Sequence, residues 1–191
     1  MVSATLRLAG AALFALLTCS GALAASIDLA FWAGGLPPRF SVHGVKTEPT
    51  YQAAVDIRRD GDVFTLVGGA PGWTERSQQS LVVSHDGALH YTVCPIGMNC
   101  NATLTPTGFL ATATLISALR RNQLRGVEAT ATFGGRDIVC IPAERIGIAQ
   151  PLFDPCFDLA TGAVLAQRHR LTGQFDGPSL EPTSLDVALE Y

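Results

Sequence analysis

Gly126 to Leu171, G-V-E-A-T-A-T-F-G-G-R-D-I-V-C-I-P-A-E-R-I-G-I-A-Q-P-L-F-D-P-C-F-D-L-A-T-G-A-V-L-A-Q-R-H-R-L, is the stretch on which the architecture of this chain turns. Ala129 to Phe133 and Ile138 to Ile141 flank Gly134-Gly135, and Phe157 to Leu159 and Val164 to Leu171 flank Ala160-Thr161-Gly162. Glycine in a tight turn supplies the positive φ that a hairpin needs, so both segments are expected to be β-hairpins. A loop joins them, with Cys140 and Cys156 at its two ends. Hairpins on either side would hold those cysteines close, and a disulfide between them is expected.

Upstream, the same pattern recurs. Tyr51, Ala53, Val55 and Ile57 alternate with more polar neighbours, the signature of a half-buried strand, and Asp60-Gly61 follows as a turn signal. Pairing about that turn sets Ile57 opposite Phe64 and Val55 opposite Leu66. Ser80 to Cys94 repeats the arrangement about Asp86-Gly87, with Val82 expected opposite Tyr91, Ser84 opposite Leu89, and Val83 facing His90 on the other side. Two hairpins joined end to end make an antiparallel meander with one apolar and one wet face. Before them, Gly34-Gly35 and Pro37-Pro38 break Ile27 to Val45 into a short strand, a turn and a second strand from Arg39.

One helix is expected, from Gly108 to Leu124. Phe109, Ala113, Ile116 and Leu119 fall on one stripe, a threonine cap and Pro106 suit its start, and Arg120, Arg121 and Arg125 complement the dipole at its end. Such a stripe must cover something apolar, and the sheet is the available partner. Downstream of the central hairpins, Gln174 to Pro182 reads as a turn-rich connection, and Leu185, Val187, Leu189 and Tyr191 alternate as a last strand. The fold class is therefore mainly β (α+β): a curved antiparallel meander sheet or open half-barrel with one main helix on its concave face.

Residues 1–24 read as a secretory signal peptide. A basic start at Arg7 precedes the apolar run Leu8 to Leu17, and Ala22-Leu23-Ala24 offers the small residues of a cleavage site. The rival is a lipoprotein signal with Cys19 lipidated, for which Thr18 is a poor neighbour. Cleavage leaves about 170 residues, 25–191, the size of a single β-rich domain. No stretch approaches the ~20 apolar residues of a membrane span. The chain carries 13 basic and 16 acidic residues, a formal charge of −3, which argues against nucleic acid or an anionic membrane as partner. Periplasmic or secreted location follows. In an oxidising compartment the four mature cysteines predict two disulfides, and of the three pairings the sequential one, Cys94–Cys100 with Cys140–Cys156, closes the most local loops. Their spacings miss the zinc knuckle, so no metal is expected.

No motif dictates a reaction. His43, His85, His90 and His169 have no metal-ligand partner at a useful spacing and read as surface or edge-strand residues. Ser, His and Asp occur without a nucleophile elbow. Asp154 and Asp158 read as loop and strand-start acids, and Asn101-Ala-Thr103 as a glycosylation triplet without meaning in an exported bacterial protein. No enzyme, catalytic residue or cofactor is expected.

The suggestive residues are apolar. If the sheet curls, Val55, Ile57, Phe64, Leu66, Val82, Leu89 and Tyr91 line its concave side, and Phe109, Ala113 and Ile116 close over them. A ligand cavity and a filled core are made of the same residues. The segments G-x-x-I-V-C (Gly135 to Cys140) and C-F-D-L-A-T-G-A-V-L-A (Cys156 to Ala166), with meander hairpins and a mid-chain apolar helix, resemble the periplasmic lipoprotein-carrier superfamily and its related lipid-carrying envelope lipoproteins. That resemblance, specific over Gly126 to Leu171, implies a curved antiparallel sheet wrapped round helices as an open barrel with an apolar cavity. The function expected from it is binding or carriage of a lipid or other hydrophobic ligand. The alternative is a non-catalytic envelope structural or protein-interaction module with a filled core.

Overall fold

A computed structural model describes residues 25–68, 78–94, 105–106, 108–149, 152–176 and 178–188. The expected signal peptide, Cys100 as the partner expected for Cys94, the Asn101 triplet and the end of the last strand at 189–191 lie outside the described residues. In chain order the elements are β1 (Ser26–Asp28), α1 (Leu29–Gly34), β2 (Arg39–Glu48), β3 (Tyr51–Asp60), β4 (Val63–Gly68), β5 (Gln78–Val83), β6 (Leu89–Val93), α2 (Ala111–Arg120), β7 (Val127–Phe133), β8 (Arg136–Cys140), β9 (Phe153–Asp158), β10 (Val164–His169) and β11 (Ser179–Ala188). Two 3-10 turns, Gly108–Leu110 and Ala143–Ile146, complete the set.

The chain is mainly β. A five-stranded sheet, β1-β7-β8-β9-β10, and a six-stranded sheet, β11-β2-β3-β4-β5-β6, are antiparallel throughout and do not close into a barrel. The edge strands β10 and β11 pack beside each other without a shared ladder.

Both central hairpins form. Phe133 pairs with Arg136 about Gly134 and Gly135, whose φ values of 56° and 76° are the left-handed pair that a two-residue turn requires. In β9–β10, Asp158 builds the turn: its carboxylate accepts hydrogen bonds from the Thr161 backbone N–H (3.0 Å) and hydroxyl (2.7 Å), and Arg136 donates to its other oxygen (2.7 Å). Cys140 and Cys156 stand opposite one another on β8 and β9 and are bonded. The bridge fits an oxidising compartment. Among the described residues no helix is long and apolar enough to cross a membrane.

Helix α2 is buried on every side, not along one stripe, because it lies inside the curve of the strands. Its three hydroxyls are therefore tied to carbonyls: Thr112 donates to Gly162 (2.7 Å), Thr114 to Pro106 (2.9 Å) and Ser117 to Gly87. Arg120 at its end donates to the Val83 and Ser84 carbonyls and pairs with Asp62, fastening the helix to β4–β5.

Several expectations are corrected. The helix ends at Arg120, not Leu124, because Asn122 turns left-handed (φ 55°) and the Gln123 N–H reaches back to Ala118 O (2.9 Å), the six-to-one bond of a Schellman stop. Its α-helical part, from Ala111, continues the 3-10 turn with no side-chain cap at Leu110, and Thr107 before that turn lies outside the described residues. In β3–β4 the register lies two residues from the expected one, with Ile57 opposite Leu66 and Arg59 opposite Phe64. Asp60 stays in the ladder, paired with Arg39 (2.7 Å), and Gly61-Asp62 make the turn. A two-residue shift preserves the faces, so the apolar set stays together. Strand β11 begins at Ser179 and runs through Pro182, tolerated because this is an edge strand with a bulge between Pro182 and Ser184.

Candidate functional site

The inner face of the six-stranded sheet was the expected ligand wall. Val55, Ile57 and Phe64 from that wall, and Phe109, Ala113 and Ile116 from the helix region, retain 0 to 6% of their accessible surface. These six side chains instead fill one core with Leu81, Val83, Leu115 and Phe157, and Leu66, Leu89 and Tyr91 pack half-buried against it.

Val82 is the exception and a correction. It was expected on the concave face opposite Tyr91; it pairs with His90 and points the other way, while Leu81 opposes Tyr91 and Val83 opposes Leu89. The cause is the length of the turn. Ser84 N–H bonds to Ala88 O (2.8 Å) around His85, Asp86 and Gly87, the last at φ 82°, and a three-residue loop changes the parity that a two-residue loop would set.

Charged groups on the inner side are satisfied in place. Arg59 donates to Pro37 O (2.9 Å) and Gly61 O (3.1 Å) and lies 5.5 Å above the Phe64 ring, and burial holds its pKa below the ordinary arginine value. At the open end, burial opposes the charge of Lys46, the single lysine, but hydrogen bonds to Glu48 and Tyr51 outweigh it and raise the ammonium pKa. Burial alone raises that of Tyr91.

A cavity of about 450 Å³ opens where β10 and β11 part, lined by Phe133, Gly134, Leu165, Leu180, Glu181 and Pro182. That volume falls at the lower end of the ~300–1,000 Å³ usual for small-molecule sites. Behind Leu180 and Glu181, an added Cβ at Gly44 would stand 2.5 Å from Glu181 O and 2.7 Å from Leu180 Cδ1, so glycine lets β11 settle onto β2. The rim of the cavity is aromatic: Phe175, 40% exposed, meets Phe133 edge-on at 5.0 Å. A second hollow of about 300 Å³ is lined by Gly135, Arg136, Asp137, Asp158, Leu159 and Ala160, and the Arg136–Asp158 pair already matches charge within it. Asp154, at the start of β9, is likewise held by Arg170 (2.7 Å), Arg168 (3.5 Å) and the Ala143 N–H (3.1 Å).

The chain matches no protein-family model and no curated protein. Its site must be read from its own geometry. Sequence reasoning missed Phe133, Leu165, Leu180 and Pro182 as a group because they come together only where two sheets meet edge to edge. The available signal was Pro182, a residue without an N–H on a patterned strand, which marks an edge.

Proposed function

We propose that this chain is an exported envelope protein that binds a lipid or other hydrophobic ligand, and that the ligand sits in the β10–β11 groove rather than beneath α2. The observation that carries this reading is the groove itself, an apolar hollow where the edge strands β10 and β11 pack without a ladder. Phe133 and Pro182, both half-buried, offer apolar surface above the buried Leu165 and Leu180, and exposed Glu181 stands at the side. Removing roughly each 100 Å² of apolar ligand surface from water contributes about 2.5 kcal/mol before the costs of ordering are subtracted. The unclosed arrangement of strands about a helix agrees with the open barrel of the lipoprotein-carrier superfamily that Gly126 to Leu171 resembles.

A second reading, a filled-core module that contacts another envelope protein, is favoured by the near-complete burial of Ile57, Phe64, Ala113 and Ile116. Titration with a fluorescent fatty acid separates the two. Saturable uptake by the wild type, abolished by Phe133→Asp, supports the groove; no uptake by the wild type leaves the module. Uptake that survives Phe133→Asp would place the ligand somewhere else.

A further inference from the structure

The outer face of the six-stranded sheet carries a constellation that the ligand reading does not use. Strands β2 and β3 are interior, each laddered on both sides, so their side chains stand on a rigid base. The two-residue period of β2 puts Ser41 and His43 on one face, and the β2–β3 register places Asp56 directly opposite His43 and Arg58 directly opposite Ser41. The hydroxyl oxygen of Ser41 lies 3.3 Å from His43 Nε2, and His43 Nδ1 lies 3.5 Å from Asp56 Oδ1. Arg58 holds the same carboxylate, its Nε donating to Asp56 Oδ1 at 3.2 Å and a terminal nitrogen contacting Oδ2.

We propose that Ser41 is a base-activated nucleophile that accepts an acyl or phosphonyl group from an activated ester, with His43 as its base and Asp56 as the residue that positions His43. The two ring nitrogens face different partners. With its proton on Nδ1, the nitrogen nearer the carboxylate, Nε2 presents its lone pair to the Ser41 hydroxyl, the arrangement that base-assisted attack needs. Asp56 is largely covered, 19% exposed at its side chain, whereas the His43 side chain is 43% exposed and open to a reagent. In the step, the Ser41 proton passes to His43 Nε2 while Oγ bonds to the acyl carbon. The bond from that carbon to the leaving oxygen breaks, and the departing oxygen takes the proton from His43. With a fluorophosphonate, the Oγ–P bond forms, the P–F bond breaks, fluoride leaves and the proton stays on His43.

The sheet also limits the chemistry. Backbone N–H groups of interior strands are committed to their ladders, so the cation opposite Ser41, Arg58, is what meets a developing oxyanion. Loss of one oxyanion donor costs roughly 10²–10³ in rate. Single transfer to Ser41, rather than rapid turnover, is the expected behaviour. Sequence motifs give no hint of this group because the partners sit on different strands and only the register unites them.

The test is labelling of the purified full chain with a fluorophosphonate probe, followed by peptide mass mapping, with exposed Ser26 as the internal reference. Ser41 should carry the label well above Ser26, and Ser41→Ala should remove it. His43→Gln should slow labelling by roughly 10²–10⁴, the usual share of a general base, with folding confirmed by circular dichroism. Asp56→Asn should slow it as well, and raising pH should not restore the wild-type rate. Label at Ser41 no greater than at Ser26, or a wild-type rate in His43→Gln, would overturn the proposal.

Discussion

Phe64→Ala asks whether the inner face of the large sheet is a filled core. Phe64 is 2% exposed and stands opposite Leu81 on β5, itself fully buried, with the Arg59 guanidinium over its ring. Truncation removes the transfer free energy of the ring and leaves a void that the laddered strands on either side cannot collapse into, which costs about 3–5 kcal/mol. Loss of the cation–π contact adds little, because Arg59 keeps its two backbone carbonyls. With a urea dependence of about 2 kcal/mol per molar, the unfolding midpoint should fall by roughly 2 M in a titration followed by far-UV circular dichroism. Val82→Ala, on the opposite face, should change stability by about 1 kcal/mol or less. A midpoint shift for Phe64→Ala no larger than that of Val82→Ala would show that the ring borders empty space, and the packed-core description would fail.

Three further perturbations follow from particular contacts. Asp158→Ala should destabilise by about 3–5 kcal/mol in the same urea assay, since it leaves Arg136 and the Thr161 N–H and hydroxyl without their buried acceptor; a change under about 1 kcal/mol would contradict the role given to this turn. Cys140→Ser should lower stability by about 2–5 kcal/mol, and non-reducing peptide mapping of the wild type should recover the Cys140–Cys156 peptide and no Cys94–Cys140 species. Lys46 and Tyr91 both have pKa values raised above their ordinary values of 10.5 and 10.0. The fold therefore favours the protonated form of each, and the stability this supplies is complete below about pH 10 and is lost as pH climbs through the raised values. Urea midpoints at about pH 9 and pH 11 should differ in that direction, and by less in Lys46→Met.

Much of the fold was legible because turn chemistry and alternation agree. Gly134-Gly135 can adopt the left-handed pair, the apolar alternation on either side matches it, and the hairpin appears as expected. Asp158-x-x-Thr161-Gly162 was legible as a turn but not as a buried charge site, since its partner Arg136 comes from the neighbouring hairpin. Register was the weak link. An Asp-Gly signal marks a turn without stating loop length, so Asp86-Gly87 read as a two-residue loop sent Val82 inward when the three-residue loop sends Leu81 and Val83 there. The helix stripe was legible, but its far side was not, because Thr112, Thr114 and Ser117 look solvated until Gly162, Pro106 and Gly87 supply their acceptors. The groove was beyond reach: Phe133, Leu165 and Pro182 lie on strands β7, β10 and β11, and no local pattern states which sheet edges will meet.

The most direct test of where a hydrophobic ligand binds is a fluorescent fatty acid titration of the wild type beside Phe133→Asp and Ala113→Trp. The groove reading predicts saturable uptake by the wild type and its loss in Phe133→Asp with the urea midpoint little changed. It also predicts that Ala113→Trp, at a position with no exposed surface, overpacks the core and destabilises the fold by about 1–3 kcal/mol or more. Uptake that Phe133→Asp leaves intact, together with a stable Ala113→Trp protein that no longer binds, would put the ligand between the sheet and α2 and contradict the account.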